Sequence, residues 1–195
     1  EAMLDDCWDM LHRAAGPGRH VFSTPVVGTT DPEAGYAGLR TVILRKATPS
    51  RRELWFYSDA RSEKIAHLRS VPRISYHFYD PERQLQIRAR GIATLHFGDE
   101  LARQQWEEIT VEGRTNYASV EPPARPAAEA TRGLPGFWGE DMPLERTEYA
   151  FENFAVVRAT MEAMDCLLLH PGGHQRVLFE WQSSAGTWKG GWVVP

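Results

Sequence analysis

Long apolar runs are missing from this chain, and so are most of the short signatures that betray an enzyme class. No stretch approaches the ~20 apolar residues that span a bilayer as a helix, so membrane insertion is not expected. Cysteine is scarce. The only two among 195 residues are Cys7 and Cys166, far apart in sequence and each in an apolar context, which reads as two buried reduced thiols rather than a disulfide framework or a zinc site. Positive charge is not in excess either: 22 Lys and Arg stand against 26 Asp and Glu, giving a net charge of −4 and a pI near 6.0. A nucleic-acid partner is therefore not expected, and any anion site must be local. The chain contains no G-x-G-x-x-G and no G-x-x-x-x-G-K-[ST], which disfavours Rossmann and P-loop readings. Hydrolase readings lack a G-x-S-x-G elbow or a persuasive Cys/His context. His170 and His174 bracket Pro171-Gly172-Gly173, a turn, so they are not spaced as helical metal ligands, and no metal is expected. The two reduced thiols predict a cytoplasmic location.

What is present is β-rich. Residues 2–15 carry Met3, Leu4, Cys7, Trp8 and Leu11 at helical spacing, ended by "GPG" at 16–18. Three strands are predicted next, over 20–30, 39–47 and 52–58, followed by a short helix over 61–70 that stops before Pro72. A hairpin follows, 73–79 with 84–97, joined by "DPER" and carrying Gln84, Gln86, Arg88 and Arg90 on one face of its second strand. Residues 99–117 turn helical with Leu101, Trp106 and Ile109 as the apolar stripe, and 119–136 form a Pro/Ala-rich surface loop or arm. Four more strands are predicted over 153–161, 164–170, 176–182 and 187–195. The sum is one mainly β domain over 1–195, about nine strands with a few helices, in a closed or partly closed barrel.

One constellation invites chemistry. In "LWFYSDARSEKI" (54–65) the residues Ser58, Arg61, Ser62 and Lys64 sit where a strand gives way to a helix, so backbone N–H groups, hydroxyls and cations could converge on a phosphate. The alternative is that Asp59 or Ser62 caps the helix and the cations are solvated. Arg40 and Arg45 flank the strand "RTVILR" on opposite faces, and an inward Arg40 beside Lys64 needs a bound anion.

Taken in order, "RTVILR", "LWFYSDARSEK", "RISYHFYDPERQLQIRARG", "GFWG" at 136–139 and "HQR" at 174–176 resemble the pyridoxamine 5′-phosphate oxidase-like flavoproteins, and most closely their Alr4036-like branch. The resemblance covers about residues 20–195 and implies an FMN-binding split barrel, usually a homodimer with FMN at the subunit interface. It implies that Arg40, Ser58 and Lys64 hold the FMN phosphate, joined by Arg61 and Ser62. It places Thr41, Val42, Ile43, Leu44, Arg45 and Tyr57 along the flavin, Gln86 facing it with Gly91 fixing the register, and Arg176 reaching FMN from the second subunit. Arg45, Trp106, Arg114 and His174 are the expected substrate side, with Thr110 at a further substrate-phosphate position. Here the chain departs from the family pattern: Arg45 replaces a lysine, Trp106, Thr110 and Arg114 stand where a Tyr, an Arg and a Ser bind substrate phosphate, Leu167 replaces a tryptophan, Glu121 a glutamine and Glu63 an arginine.

The resemblance implies an FMN-dependent oxidoreductase acting on a small organic substrate, no side chain being an obligatory acid or base. A flavin-binding carrier or sensor without turnover is the first alternative. A heme-binding split-barrel protein is the second, and its axial ligand would be a strand histidine such as His77 or His96.

Overall fold

The computed structural model describes residues 2–195. Helix α1 (Ala2–Ala14) buries Leu4, Cys7, Trp8 and Leu11 on one face, as its spacing requires. It is followed by strands β1 (Val26–Thr30), β2 (Ala37–Thr41), β3 (Lys46–Thr48) and β4 (Glu53–Asp59), then helix α2 (Glu63–Ser70). Strands β5 (Arg73–Asp80) and β6 (Leu85–His96) form the hairpin; helices α3 (Glu100–Glu107) and α4 (Val111–Arg114) follow, and β7 (Phe154–Leu168), β8 (Gln175–Gln182) and β9 (Thr187–Val193) end the chain.

The fold is mainly antiparallel sheet with a few helices. The nine strands form one sheet in the order β2-β1-β5-β6-β7-β4-β3, with β8 added to β7 and β9 to β8. Its two ends, β2 and β3, belong to one continuous stretch of chain. Residues 42–45 carry that stretch across, with Val42 N–H donating to Pro25, Leu44 N–H to Ser23 and Arg45 N–H to Trp55 carbonyls. The ladder is interrupted at this crossing, so the sheet curls without closing into a full barrel. The single strand read over 39–47 is therefore two short ones, because a strand that changes partners must leave one ladder before entering the other.

The opposite correction applies to 153–161 and 164–170, which form one strand, β7. Its first residues, Phe154 to Val157, are buried on both faces, which gives a continuous apolar run instead of alternation. Where β7 meets β6 the register shifts between Arg90 and Gly91, and a Cβ on Gly91 would stand 2.1 Å from the Thr160 carbonyl oxygen. Only glycine fits that approach. Gln84 lies outside β6, in the turn with φ 52°, so the shared outer face holds Gln86, Arg88 and Arg90 without it.

The larger core gathers Phe22, Phe56, Tyr76, Phe78, Ile87 and Met161 under α1. A smaller one packs Trp55, Trp106, Tyr117 and Phe154 beneath α3. Cys7 and Cys166, 159 positions apart, meet in the larger core as free thiols with their sulfurs 3.2 Å apart. Residues 119–136 form neither helix nor strand, and among the described residues no helix is long and apolar enough to cross a membrane.

Candidate functional site

Strand β4 is buried along its length except at Tyr57, and its last residues turn directly into α2. Asp59 makes the turn. Its carboxylate accepts the Arg61 backbone N–H at 2.8 Å and the Arg61 guanidinium at 3.1 and 2.7 Å, a closed local loop of the kind aspartate favours. Arg61 spends its remaining N–H groups on the carbonyls of Ser119 and Val120 and the Ser119 hydroxyl, and its hydrogen bond to Asp59 raises its pKa. It anchors the 119–136 segment rather than joining the cluster beside it.

That cluster is built from Ser58, Ser62, Lys64 and Arg40. Ser62 occupies the N-cap position of α2, yet its hydroxyl makes no capping bond; it lies 3.0 Å from the Ser58 hydroxyl, and both are buried. Lys64 Nζ donates to these two hydroxyls at 3.1 and 3.2 Å, and they are its only hydrogen-bond partners among the described residues. Burial, then the charge of Arg40, pushes the Lys64 ammonium below its ordinary pKa. Arg40 is itself half-buried, and burial lowers its pKa, while Glu63 acts in the other direction. Its Nη1 donates to Thr29 Oγ1 and the Gly38 carbonyl, both at 2.6 Å, and its one ion pair among the described residues is a 4.0 Å contact with Glu63. Two cations that burial and mutual repulsion disfavour, held by neutral oxygens at a helix start, form a site that a doubly charged anion would complete.

Beside it the crossing segment 42–45 presents Ile43 outward, half exposed, with Val42 and Leu44 buried behind. The Arg45 guanidinium lies over the Tyr57 ring at 5.2 Å, and the Tyr57 hydroxyl donates to Gln105 at 3.0 Å. Burial raises the Tyr57 pKa. A cavity of about 520 Å³ opens here, lined among others by Gly16, Ile43, Arg45, Tyr57, Gln105, Glu108 and Thr110.

On the outer face of the sheet, Gln86 of β6, Leu167 of β7 and Arg176 of β8 stand in one cross-strand row. Gln86 bonds His77 at 3.1 Å. Arg176 donates to both oxygens of Asp165, at 3.1 and 2.9 Å, and Arg88 reaches the same carboxylate. Asp165 raises the Arg176 pKa. Within one chain this row does not join the Arg40–Lys64 cluster.

Residues 7–97, a little under half of the chain, match the family model of the pyridoxamine 5′-phosphate oxidase FMN-binding domain. That match supports assigning the chain to the pyridoxamine 5′-phosphate oxidase-like family. Its fold is similar to that of a pyridoxamine 5′-phosphate oxidase-related, FMN-binding protein from Nostoc punctiforme, with 20% identity over 98% of this chain and 96% of that one and a TM-score of 0.75. PhzG from Burkholderia lata, solved in complex with tetrahydrophenazine-1-carboxylic acid, is 15% identical over 100% of this chain and 91% of that one, with a TM-score of 0.70. A Clostridium acetobutylicum protein related to general stress protein 26 of the pyridoxinephosphate oxidase family is 10% identical over 92% of this chain and 94% of that one, with a TM-score of 0.58. No curated protein sequence matches the chain.

Within this pyridoxamine 5′-phosphate oxidase-like fold, the residues expected on the substrate side separate. Arg45 and Thr110 line the cavity. Trp106 and Arg114 lie in the smaller core, 0% and 3% exposed. Arg114 Nη2 donates to the Trp106 carbonyl and its Nε to that of Ile109, both at 3.1 Å, and Nη1 to Thr147 and to Glu148 at 3.1 and 3.4 Å. His174 sits in the exposed turn before β8, where its Nδ1 accepts the His170 N–H. Glu121 is exposed and pairs with Arg125 at 3.8 Å. His77 and His96 do not line the cavity, and His96 bonds Asp99. Sequence reasoning missed Gln105 and Glu108, though they stand four and seven positions after Leu101 in the helical pattern. It also missed Thr29 and Asp165, whose partners lie on other strands.

Proposed function

We propose that this chain is an FMN-dependent oxidoreductase acting on a small organic substrate, and that Arg40, Ser58, Ser62 and Lys64 hold the FMN phosphate. One observation carries the reading: Lys64, depressed in pKa by burial and by Arg40, has among the described residues only the Ser58 and Ser62 hydroxyls as hydrogen-bond partners. Residues 41–45 and Tyr57 line the isoalloxazine ring, next to the cavity that receives substrate. Bound FMN supplies the hydride or electron exchange, and the protein contributes orientation and electrostatics. The row Gln86, Leu167 and Arg176, which makes no hydrogen bond to the Arg40–Lys64 cluster among the described residues, supports a homodimer in which the partner subunit's Arg176 reaches the cofactor. The free thiols Cys7 and Cys166 agree with a cytoplasmic home.

The test is the spectrum of the isolated protein. It should be yellow with a flavin band that Lys64→Ala or Arg40→Ala weakens by releasing FMN, and a colourless protein that takes up no added FMN refutes the reading. A flavin carrier without turnover is the second reading, favoured by the commitment of Trp106 and Arg114 to the core. Anaerobic reduction by NAD(P)H and reoxidation in the presence of pyridoxamine phosphate or aromatic carboxylic acids separates the two.

A further inference from the structure

Behind Arg40 lies a second set of donor atoms that the phosphate site does not use. Asp31 follows β1, and Glu63 and His67 stand one turn apart on α2, so they share a face of that helix. One ligand-type atom from each of the three side chains lies within 4.8 Å of the others. Two of the three are already oriented by the fold. Asp31 Oδ1 accepts the backbone N–H groups of Glu33 and Ala34 at 2.9 Å each, leaving Oδ2 turned toward the helix. The bonds from Ala34 and Glu33 also hold the Asp31 carboxyl below its ordinary pKa. His67 is 7% exposed, and its Nδ1 lies 3.1 Å from Thr29 Oγ1. Its Nε2 has no hydrogen-bond partner among the described residues and aims at Asp31 Oδ2, 3.7 Å away.

That separation decides between a simple pair and a shared ion. It is too long for a hydrogen bond. Two ligands of one tetrahedral ion, with bonds of about 2.1 Å, stand roughly 3.4 Å apart, so a small contraction would seat a cation between them. A buried imidazole whose Nδ1 is fixed by a hydroxyl is arranged to ligate through Nε2.

We propose that Asp31, Glu63 and His67 bind one divalent transition-metal cation, with water completing its shell. One imidazole and two carboxylates favour Zn²⁺ over Mg²⁺ or Ca²⁺, which prefer all-oxygen sites. Glu63 is the mobile ligand: 72% exposed and 4.0 Å from Arg40, it turns from the guanidinium to the ion. The ion ties the segment between β1 and β2, which leads into the strand carrying Arg40, to α2, which carries Lys64. This site does not depend on the FMN reading.

Calorimetric titration of Zn²⁺ into the tag-free, chelator-stripped full chain tests it. One ion per chain is expected, with His67→Ala and Glu63→Gln each weakening uptake by about tenfold or more. Glu63→Gln changes an exposed side chain and keeps the melting temperature, so its loss of binding is not misfolding. Co²⁺ should give a visible ligand-field band that disappears in His67→Ala, and Mg²⁺ should not compete. The proposal fails if the wild-type chain shows no saturable Zn²⁺ uptake. It fails equally if both variants bind as wild type does, which would assign the ion to exposed histidines such as His170 and His174.

Discussion

Arg114 and Arg40 are both arginines largely withdrawn from water, and they live in opposite surroundings. Arg114 lies between α4 and the 3₁₀ turn at 144–153, its N–H groups directed to carbonyls, a hydroxyl and the Glu148 carboxylate, its plane 4.4 Å from the Trp106 ring centre. Burial alone would raise the Glu148 carboxyl, but hydrogen bonds from Arg103 and Trp106 and the nearby arginines hold it below its ordinary value. Every charge there has an answer inside the chain. Arg40 and Lys64 face hydroxyls and a carbonyl and repel one another; among the described residues the one ion pair between them and an acid is the 4.0 Å contact of Arg40 with exposed Glu63, and Asp59, which also favours the Lys64 charge, is committed to Arg61. A satisfied buried cation is part of the scaffold, whereas a half-buried cation with neutral partners waits for a ligand.

The two arginine sites should respond to substitution in opposite ways. Arg114→Ala strips Glu148, Thr147 and the carbonyls of Trp106, Ile109 and Leu144 of a donor in a tight site, and should cost about 3 kcal/mol of stability in urea denaturation. FMN affinity of the folded fraction should stay within about twofold. The opposite split is expected of Lys64→Ala: melting temperature nearly unchanged, and FMN affinity reduced by about 2 kcal/mol, roughly thirtyfold, by fluorescence titration. If Lys64→Ala unfolds the chain and Arg114→Ala releases flavin, the assignment of roles is reversed.

Ser62→Ala sharpens the contrast on a smaller scale. An N-cap serine that bonds its helix contributes typically ~1 kcal/mol to stability. Since the Ser62 hydroxyl makes no such bond, the variant should melt near wild type and lose about 1 kcal/mol of FMN binding instead. The smallest effect is on pH dependence. Lys64 has a lower pKa folded than unfolded, so between its folded pKa and the ordinary value of 10.5 the unfolded chain binds more protons and stability rises with pH. The protein without flavin should show this rise in that window, and Lys64→Met should remove it. A bound phosphate reverses the preference, so FMN affinity should fall over the same window.

Much of the fold was legible because its signals are local. β5 alternates buried and exposed residues along its whole length, and α1 carries its apolar face at helical spacing. The strands that misled are those whose pairing is not local. β7 lost its alternation because it is covered on both sides, and the 39–47 stretch was divided by a change of partner. The candidate site was legible in part for the same reason: Ser58, Ser62 and Lys64 fall within seven residues at a strand-to-helix turn, so proximity in sequence guaranteed proximity in space. Trp106 and Arg114 could not be told from ligand-binding residues until the turn at 144–153 was placed against them.

The sequence by itself determined the helical face of α1, the alternating strand β5 and the grouping of Ser58, Ser62 and Lys64 at one strand-to-helix turn, since periodicity and short spacing act within a few residues of chain. Only the tertiary structure decided which cations remain without a counter-charge, that Cys7 meets Cys166, and that Asp31 faces His67. Those outcomes depend on groups 34 to 159 positions apart, and the free energy of a charge or a thiol is set by whatever the folded chain brings beside it.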